Sequence, residues 1–214
     1  MPEWLSSSVG TDGFEEIQRR FSQMLEDGRH IFDAASNALI GGTDPDVIRE
    51  DLFGTDSRIN HTEQQIRRMI VVHGTVHGAS HFPSLLVLMS VAKDAERIGD
   101  YAKNIFDLAV ERPSFSDEQR AELIDIKDKI SKLLVRARHL YESEDKASAR
   151  AFLSECDELE DACDAGMKRC LTALENTTVV ALSFRYFKRV ISHASNIVTS
   201  LVMPLDKLDF FDEP

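Results

Sequence analysis

Glycine and proline are scarce in this 214-residue chain, at 10 and 6, and aromatic side chains make up only 7%. That scarcity disfavours a sheet protein built on many tight turns and favours long helices. No stretch approaches the 18 or more unbroken apolar residues of a membrane span, and MPEWLSSSVG has neither the basic nor the apolar segment of a secretory leader. The expectation is therefore a cytoplasmic protein without membrane insertion. Positive charge is also in deficit: 25 Lys and Arg against 37 Asp and Glu leave a net charge of -12, which argues against nucleic acid as a partner. There are three cysteines, Cys156, Cys163 and Cys170, spaced by seven. Seven helical residues rise about 10.5 Å, beyond the roughly 7 Å that a disulfide spans between α-carbons, so the reading is reduced thiols in a core.

What the chain does have is helical periodicity. Asp12 and Glu15 form a capping-box pattern ahead of Phe14, Ile17, Phe21, Met24, Ile31 and Ala35, a run that Gly41-Gly42 ends. Asp44-Pro45 opens a short piece that Gly54 is expected to close. A second long helix from Asp56 turns Ile59, Ile66 and Ile70 inward and weakens near Gly74 and Gly78; a third begins at Pro83 and stops before Arg112-Pro113. Ser116 and Gln119 cap a fourth, a turn at Glu142 to Asp145 leads to a fifth reaching about Leu174, and Asn176-Thr177 separates it from a sixth running to Met203.

Six helices in the order three plus three suggest a duplication. An offset of 92 places Arg97 on Arg189, Ala102 on Ala194, Asn104 on Asn196 and Ile105 on Ile197, and an offset of 101 places Asp56 on Asp157, Asn60 on Asp161 and Glu63 on Asp164. The expected architecture is all-α, two tandem pseudo-repeated three-helix bundles, residues 1–112 and 113–214.

The chemistry concentrates in DAERIGDYAKNIF, residues 94–106, where Glu96, Asp100 and Asn104 share a helix face beside an apolar stripe of Ile98, Ala102, Ile105 and Ala109. Two carboxylates about 6 Å apart repel by about 3 kcal/mol at an effective dielectric of about 20, so the pair calls for water, a basic side chain or a cation. If the second helix packs alongside, Asp56 and Asn60 add an acid and an amide, and together the four side chains suit a hard or borderline cation; a solvated charged face is the competing reading. His73, His77 and His81 also recur every fourth residue, yet Gly74, Gly78 and Pro83 interrupt them, which favours exposed turn histidines over a metal site. In SFRYFKR, residues 183–189, Phe184 and Phe187 read as core and Arg185 and Arg189 as surface, rather than as a partner-binding run. No G-x-S-x-G elbow, P-loop or Glu-x-x-His pair occurs, so no catalytic constellation is expected.

The Arg-Ile-Gly-Asp core of residues 97–100, followed by Asn104-Ile105, resembles the signature of the PhoU family, helical regulators of bacterial phosphate uptake. The resemblance covers nearly the whole chain. It implies two three-helix bundles with acid-x-x-x-Asp motifs that hold metal clusters in some members. Carried over, Asp56, Asn60, Glu96 and Asp100 are the favoured ligands in the first bundle, with Asn60 an amide in place of an acid, and Asp157 and Asp161 are their counterparts in the second. The metal would be iron, manganese, zinc or magnesium. The last motif departs from the family, with Lys188 and Ser192 standing where two acids belong. Lys188 is expected to pair with Asp157 or Asp161 and supply the charge internally. The resemblance further implies a non-enzymatic, homodimeric adaptor that contacts a phosphate ABC-transporter ATPase, a sensor histidine kinase or both. Two other readings stand beside it: a metal protein with redox or hydrolytic activity, and a purely structural dimerisation module.

Overall fold

The helix starts show how local chemistry sets the elements in the computed structural model, which describes residues 11–77, 82–173, 177–204 and Leu208. Ser116 Oγ accepts from the Gln119 backbone N–H, and the Gln119 side chain accepts from that of Ser116. Asp145 likewise accepts from the N–H groups of Ala147 and Ser148, each at 3.1 Å. Such caps satisfy donors that the first turn of a helix leaves without partners. The side chain of Asp12 lies outside the described residues. The helices are α1 (Thr11–Ile40), α2 (Pro45–His77), α3 (Phe82–Val110), α4 (Asp117–Ser143), α5 (Lys146–Thr172) and α6 (Thr178–Thr199), and there is no strand among the described residues.

Three boundaries differ from expectation. Gly54 does not close a short helix: α2 runs unbroken from Pro45. One exposed glycine costs about 1 kcal/mol relative to alanine, whereas Leu52, Thr55, Asp56 and Ile59 on either side of it are all buried and hold the helix to its neighbours. Gly74 is also inside α2. A Cβ there would come within 3.1 Å of Leu85, so this glycine permits close approach of α3 rather than a break. The third difference is at α6, which ends at Thr199 and passes into turns at Leu201 to Met203 ahead of Pro204. Leu174 and Asn176 lie outside the described residues.

In the first triplet α1 packs on both α2 and α3, and α2 also packs on α3; in the second, α4 and α5 both pack on α6 but touch each other sparsely. Between the triplets, α3 meets α6 and α1 meets α4. Four helices, α1, α3, α6 and α4, thus close a ring with α2 and α5 outside it, and Pro113 lies in the α3–α4 connection. Phe32 of α1 and Phe187 of α6, both fully buried, meet edge-to-face across that ring at 5.7 Å. Outside it, Gly166 of α5 lies flat against Phe184 of α6; a Cβ would fall 2.6 Å from the ring, so this contact requires glycine.

Polar groups cross the ring as well. Asp94 of α3 accepts from His193 Nδ1 at 2.8 Å and from Asn196 Nδ2 at 3.0 Å, all on α6 apart from the acceptor. A carboxylate can only accept here, so Nδ1 carries the proton. Tyr101 stacks on the imidazole, and Arg189 donates to the Tyr101 hydroxyl. Between α1 and α4, Arg138 pairs with Glu26 at 2.7 Å, and the Ser131 hydroxyl donates to Asp33.

The cysteines are free. Cys156 and Cys163 are buried and Cys170 is half-buried; burial pushes the Cys163 thiol up to about 12 and raises that of Cys156 further. Phe184 and Phe187 are in the core and Arg185 is exposed.

Candidate functional site

The heptad-like seam of α3 faces the ring, which leaves its acidic face turned toward α2. Gly99 lies where the two helices meet: a Cβ there would make ordinary contact with Ile59 at 3.4 Å and with Asp56 Oδ1 at 3.6 Å. Asp56 is therefore buried, at 8% exposure, beside the acids of α3. Lys103 closes the gap, with its ammonium 3.0 Å from Asp56 and 3.0 Å from Asp100. Asn60 donates to Asp56 at 3.2 Å, which aims its own carbonyl oxygen elsewhere. Further along, Glu96 pairs with Lys93 at 2.5 Å, and Arg97 lies 3.6 Å from Asp100. Asn104 lines an open groove of about 390 Å3 with Phe53, Tyr101 and Asp107.

Burial opposes the charge of Lys103, but its hydrogen bonds to Asp56 and Asp100 outweigh this and hold the ammonium above the usual lysine range. Glu63 behaves in the opposite way. It is buried at 6% exposure, and burial, reinforced by the nearby Glu96 and Asp100, raises its carboxyl above the usual glutamate range despite Arg67 and Lys93. Arg67 lies 2.7 Å from Glu63 Oε1 but out of hydrogen-bond geometry, so the charge is only partly met. Glu63 was not among the expected ligands. Its signal in the sequence is its place one turn beyond Asn60, on the face that Asp56 begins.

A carboxyl raised in the folded state stabilises the fold below its unfolded pKa and loses that contribution as pH rises through the folded value. Glu63→Gln is accordingly expected to raise the melting temperature at pH 7, with the gain vanishing below about pH 4.5, where both carboxyls are protonated. Thermal melts of both proteins from pH 4 to pH 8 check this; a gain that persists at pH 4 would trace the effect to packing.

The second triplet repeats the geometry with altered charge. Lys188 of α6 bonds Asp164 of α5 at 2.7 Å and lies 3.6 Å from Glu160, while Ser192 donates to Glu160 at 2.8 Å. Burial raises the Glu160 carboxyl even so. The expected pairing of Lys188 with Asp157 or Asp161 is corrected to Asp164 and Glu160; Asp157 and Asp161 are exposed. The reason is register. An offset of 97 between α2 and α5, not 101, superposes buried on buried, placing Leu52, Ile59 and Ile66 on Ala149, Cys156 and Cys163, and Glu63 on Glu160. The offset of 92 between α3 and α6 matches burial as it stands, with Ile98, Ala102 and Ile105 on Val190, Ala194 and Ile197. Lys188 thus occupies the position of Glu96 and faces the counterpart of Glu63.

The first of the three histidines is not exposed. His73 is buried at 6% exposure beside Phe14, because α2 continues through Gly74. The side chain of His77 and all of His81 lie outside the described residues.

Among the described residues no three His, Cys, Asp or Glu side chains are grouped to hold a metal ion. Two carboxylates, those of Asp56 and Asp100, do converge on one cation, the Lys103 ammonium. Their hard oxygens suit magnesium, manganese or iron better than zinc. A divalent ion in that place requires Lys103 to swing outward and Glu63 or Glu96 to turn in.

Fold and site together define a six-helix, all-α arrangement among the described residues, with one acid-and-lysine cluster between α2 and α3 and another between α5 and α6. Residues 21–109 match the family model of the PhoU domain. The whole fold is similar to the crystal structure of PhoU from Pseudomonas aeruginosa, at 20% identity and TM-score 0.72 over 89% of this chain and 95% of that one. It is equally similar to that of the phosphate transport system regulatory protein PhoU from Streptococcus pneumoniae, at 18% identity and TM-score 0.73 over 93% and 97%. No curated protein matches the sequence. No helix among the described residues is long and apolar enough to cross a membrane.

Proposed function

We propose that this chain is a non-enzymatic regulator of phosphate uptake and phosphate-starvation signalling, working in the cytoplasm as a homodimer that docks on the transporter's ATPase or on a sensor histidine kinase. The observation that carries the reading is the PhoU domain match over residues 21–109, joined to likeness over nearly the full length to PhoU structures, one of which is a phosphate transport system regulatory protein. Asp56 and Asp100 share Lys103, and Asp164 pairs with Lys188, an arrangement that fits rigid helices presenting a surface rather than a reaction centre. Deletion of the gene, with phosphate uptake and a starvation-responsive reporter measured in phosphate-rich medium, tests it. Loss of repression is expected, and an unchanged phosphate response would sink the proposal.

A metal in the first groove remains part of the proposal, because Asp56 and Asp100 already converge on a cation. A bound divalent ion would cross-link α2 to α3 in place of Lys103, with Asn60, Glu63 and Glu96 alongside. The second groove fits a metal less well: its acids come from α5 alone, and α6 contributes Lys188. Elemental analysis of the purified protein should show bound metal that Asp56→Ala/Asp100→Ala removes and Asp157→Ala/Asp161→Ala retains. Equal loss in both variants would refute this asymmetry.

A further inference from the structure

The thirty residues 64–93 contain no Asp or Glu, in a chain that has 37 of them. Within them the last turns of α2 set Arg68, Met69, Val72, His73 and Val76 on one side of the helix, and with Gly13 of α1 these line an open groove of about 330 Å3. Val72 and Val76 are 62% and 70% exposed there. Arg68 is exposed too, and no carboxylate among the described residues pairs with it. Valine and methionine surface beside an unmatched guanidinium suits an occupant that carries aromatic side chains next to acids.

The chain holds a segment of that chemistry. Residues 206–213, DKLDFFDE, carry four acids, one lysine and the pair Phe210-Phe211. Leu208 is buried, and residues 209–214 lie outside the described residues. Helix α6 finishes at the same end of the molecule as the groove, where Ser200 and Leu201 share a small cavity with Gln18 of α1 and Ser84 of α3. Gln18 stands about 7.5 Å along α1 from Gly13, and the chain from Leu201 to Phe210 can span up to roughly 30 Å.

We infer that Phe210 and Phe211 dock in the groove beside Val72 and Val76, with the acids that flank them meeting Arg68, so that the chain's own acidic aromatic segment ties the end of α6 to the end of α2. Charge selects this occupant. Residues 1–10, next to α1 in the chain, bring only Glu3, whereas residues 209–213 bring three acids to a stretch that has none. Tethering raises the effective concentration of the segment at the groove to the order of millimolar, so a contact that is weak by itself is enough. A partner of the same chemistry has to displace the segment first. The inference goes beyond the regulatory reading above and holds whether or not the chain controls phosphate uptake.

Methyl NMR of the full chain decides it, because aromatic rings seated in the groove displace the resonances of the Val72 and Val76 methyls. Phe210→Ser/Phe211→Ser is expected to move both sets of methyls while leaving those of Val47, at the far end of α2, in place. A synthetic peptide of residues 205–214 added to that variant should return them, binding about 10-fold more weakly in about 0.5 M salt than in about 0.05 M. Asp209→Lys/Asp212→Lys should move the same methyls, and replaces the phenylalanine variant if that one fails to fold. Val72 and Val76 methyls that stay in place in both variants overturn the inference. So does a shift produced by Trp4→Ser and not by Phe210→Ser/Phe211→Ser, which would assign the groove to residues 1–10.

Discussion

Phe187→Ala is expected to cost about 3–5 kcal/mol of folding stability, the range for emptying a fully buried aromatic site. The reason lies in where the ring sits. Phe187 belongs to α6 but meets Phe32 of α1 across the four-helix ring, so its removal opens a cavity where the two triplets join. Ring helices α3 and α4 cannot close the gap without giving up their own contacts, and partial collapse is what keeps such costs low elsewhere. Urea denaturation followed by circular dichroism checks the value. A cost below about 1.5 kcal/mol would mean that the ring repacks around the smaller side chain. Phe32→Ala should cost nearly as much, and the double variant less than the sum, because the two rings share one space.

The second large effect is expected at Asp94. Asp94→Ala removes the acceptor for both His193 and Asn196, leaving two donors between α3 and α6 without their partner. Each unsatisfied buried donor costs about 1–3 kcal/mol, so a total of about 3 kcal/mol is expected. Asp94→Asn, which keeps one oxygen to accept from His193 but loses the charge, should cost less. A double-mutant cycle of Asp94→Ala with His193→Ala separates the hydrogen bond from other losses, with a coupling of about 1–2 kcal/mol expected. Coupling near zero would show that Asp94 acts through something other than His193. Both substitutions strike the junction of the triplets rather than either triplet alone.

Much of the helical plan was readable before any contact was known. The seams of α1, α3, α4 and α6 repeat every three to four residues, and Ser116 and Gln119 cap α4 as their spacing implies. Gly54 misled because propensity is local, whereas the burial of Leu52 and Ile59 on either side of it is a tertiary gain that the glycine itself does not reveal. The offset of 101 misled for a related reason. It matched Asp56 with Asp157 by identity of charge, whereas repeats are held in register by what they bury, and Ile59 with Cys156 is a match of buried position between unlike residue types. Chemical likeness at the surface drifts more freely than position in a core.

Residues 94–106 alone determined that one helix carries an apolar seam beside a row of acids, with an Arg-Ile-Gly-Asp signature at its centre, because both features are periodic in a single rigid element. The tertiary structure decided what those acids face. Lys103 stands three residues from Asp100 in the sequence, but its bond to Asp56 exists only once α2 lies against α3. Lys188 is no neighbour of Glu160 or Asp164 until α5 lies against α6. Ion pairs between helices depend on separations of a few ångströms that packing sets, and a linear pattern carries no measure of that distance.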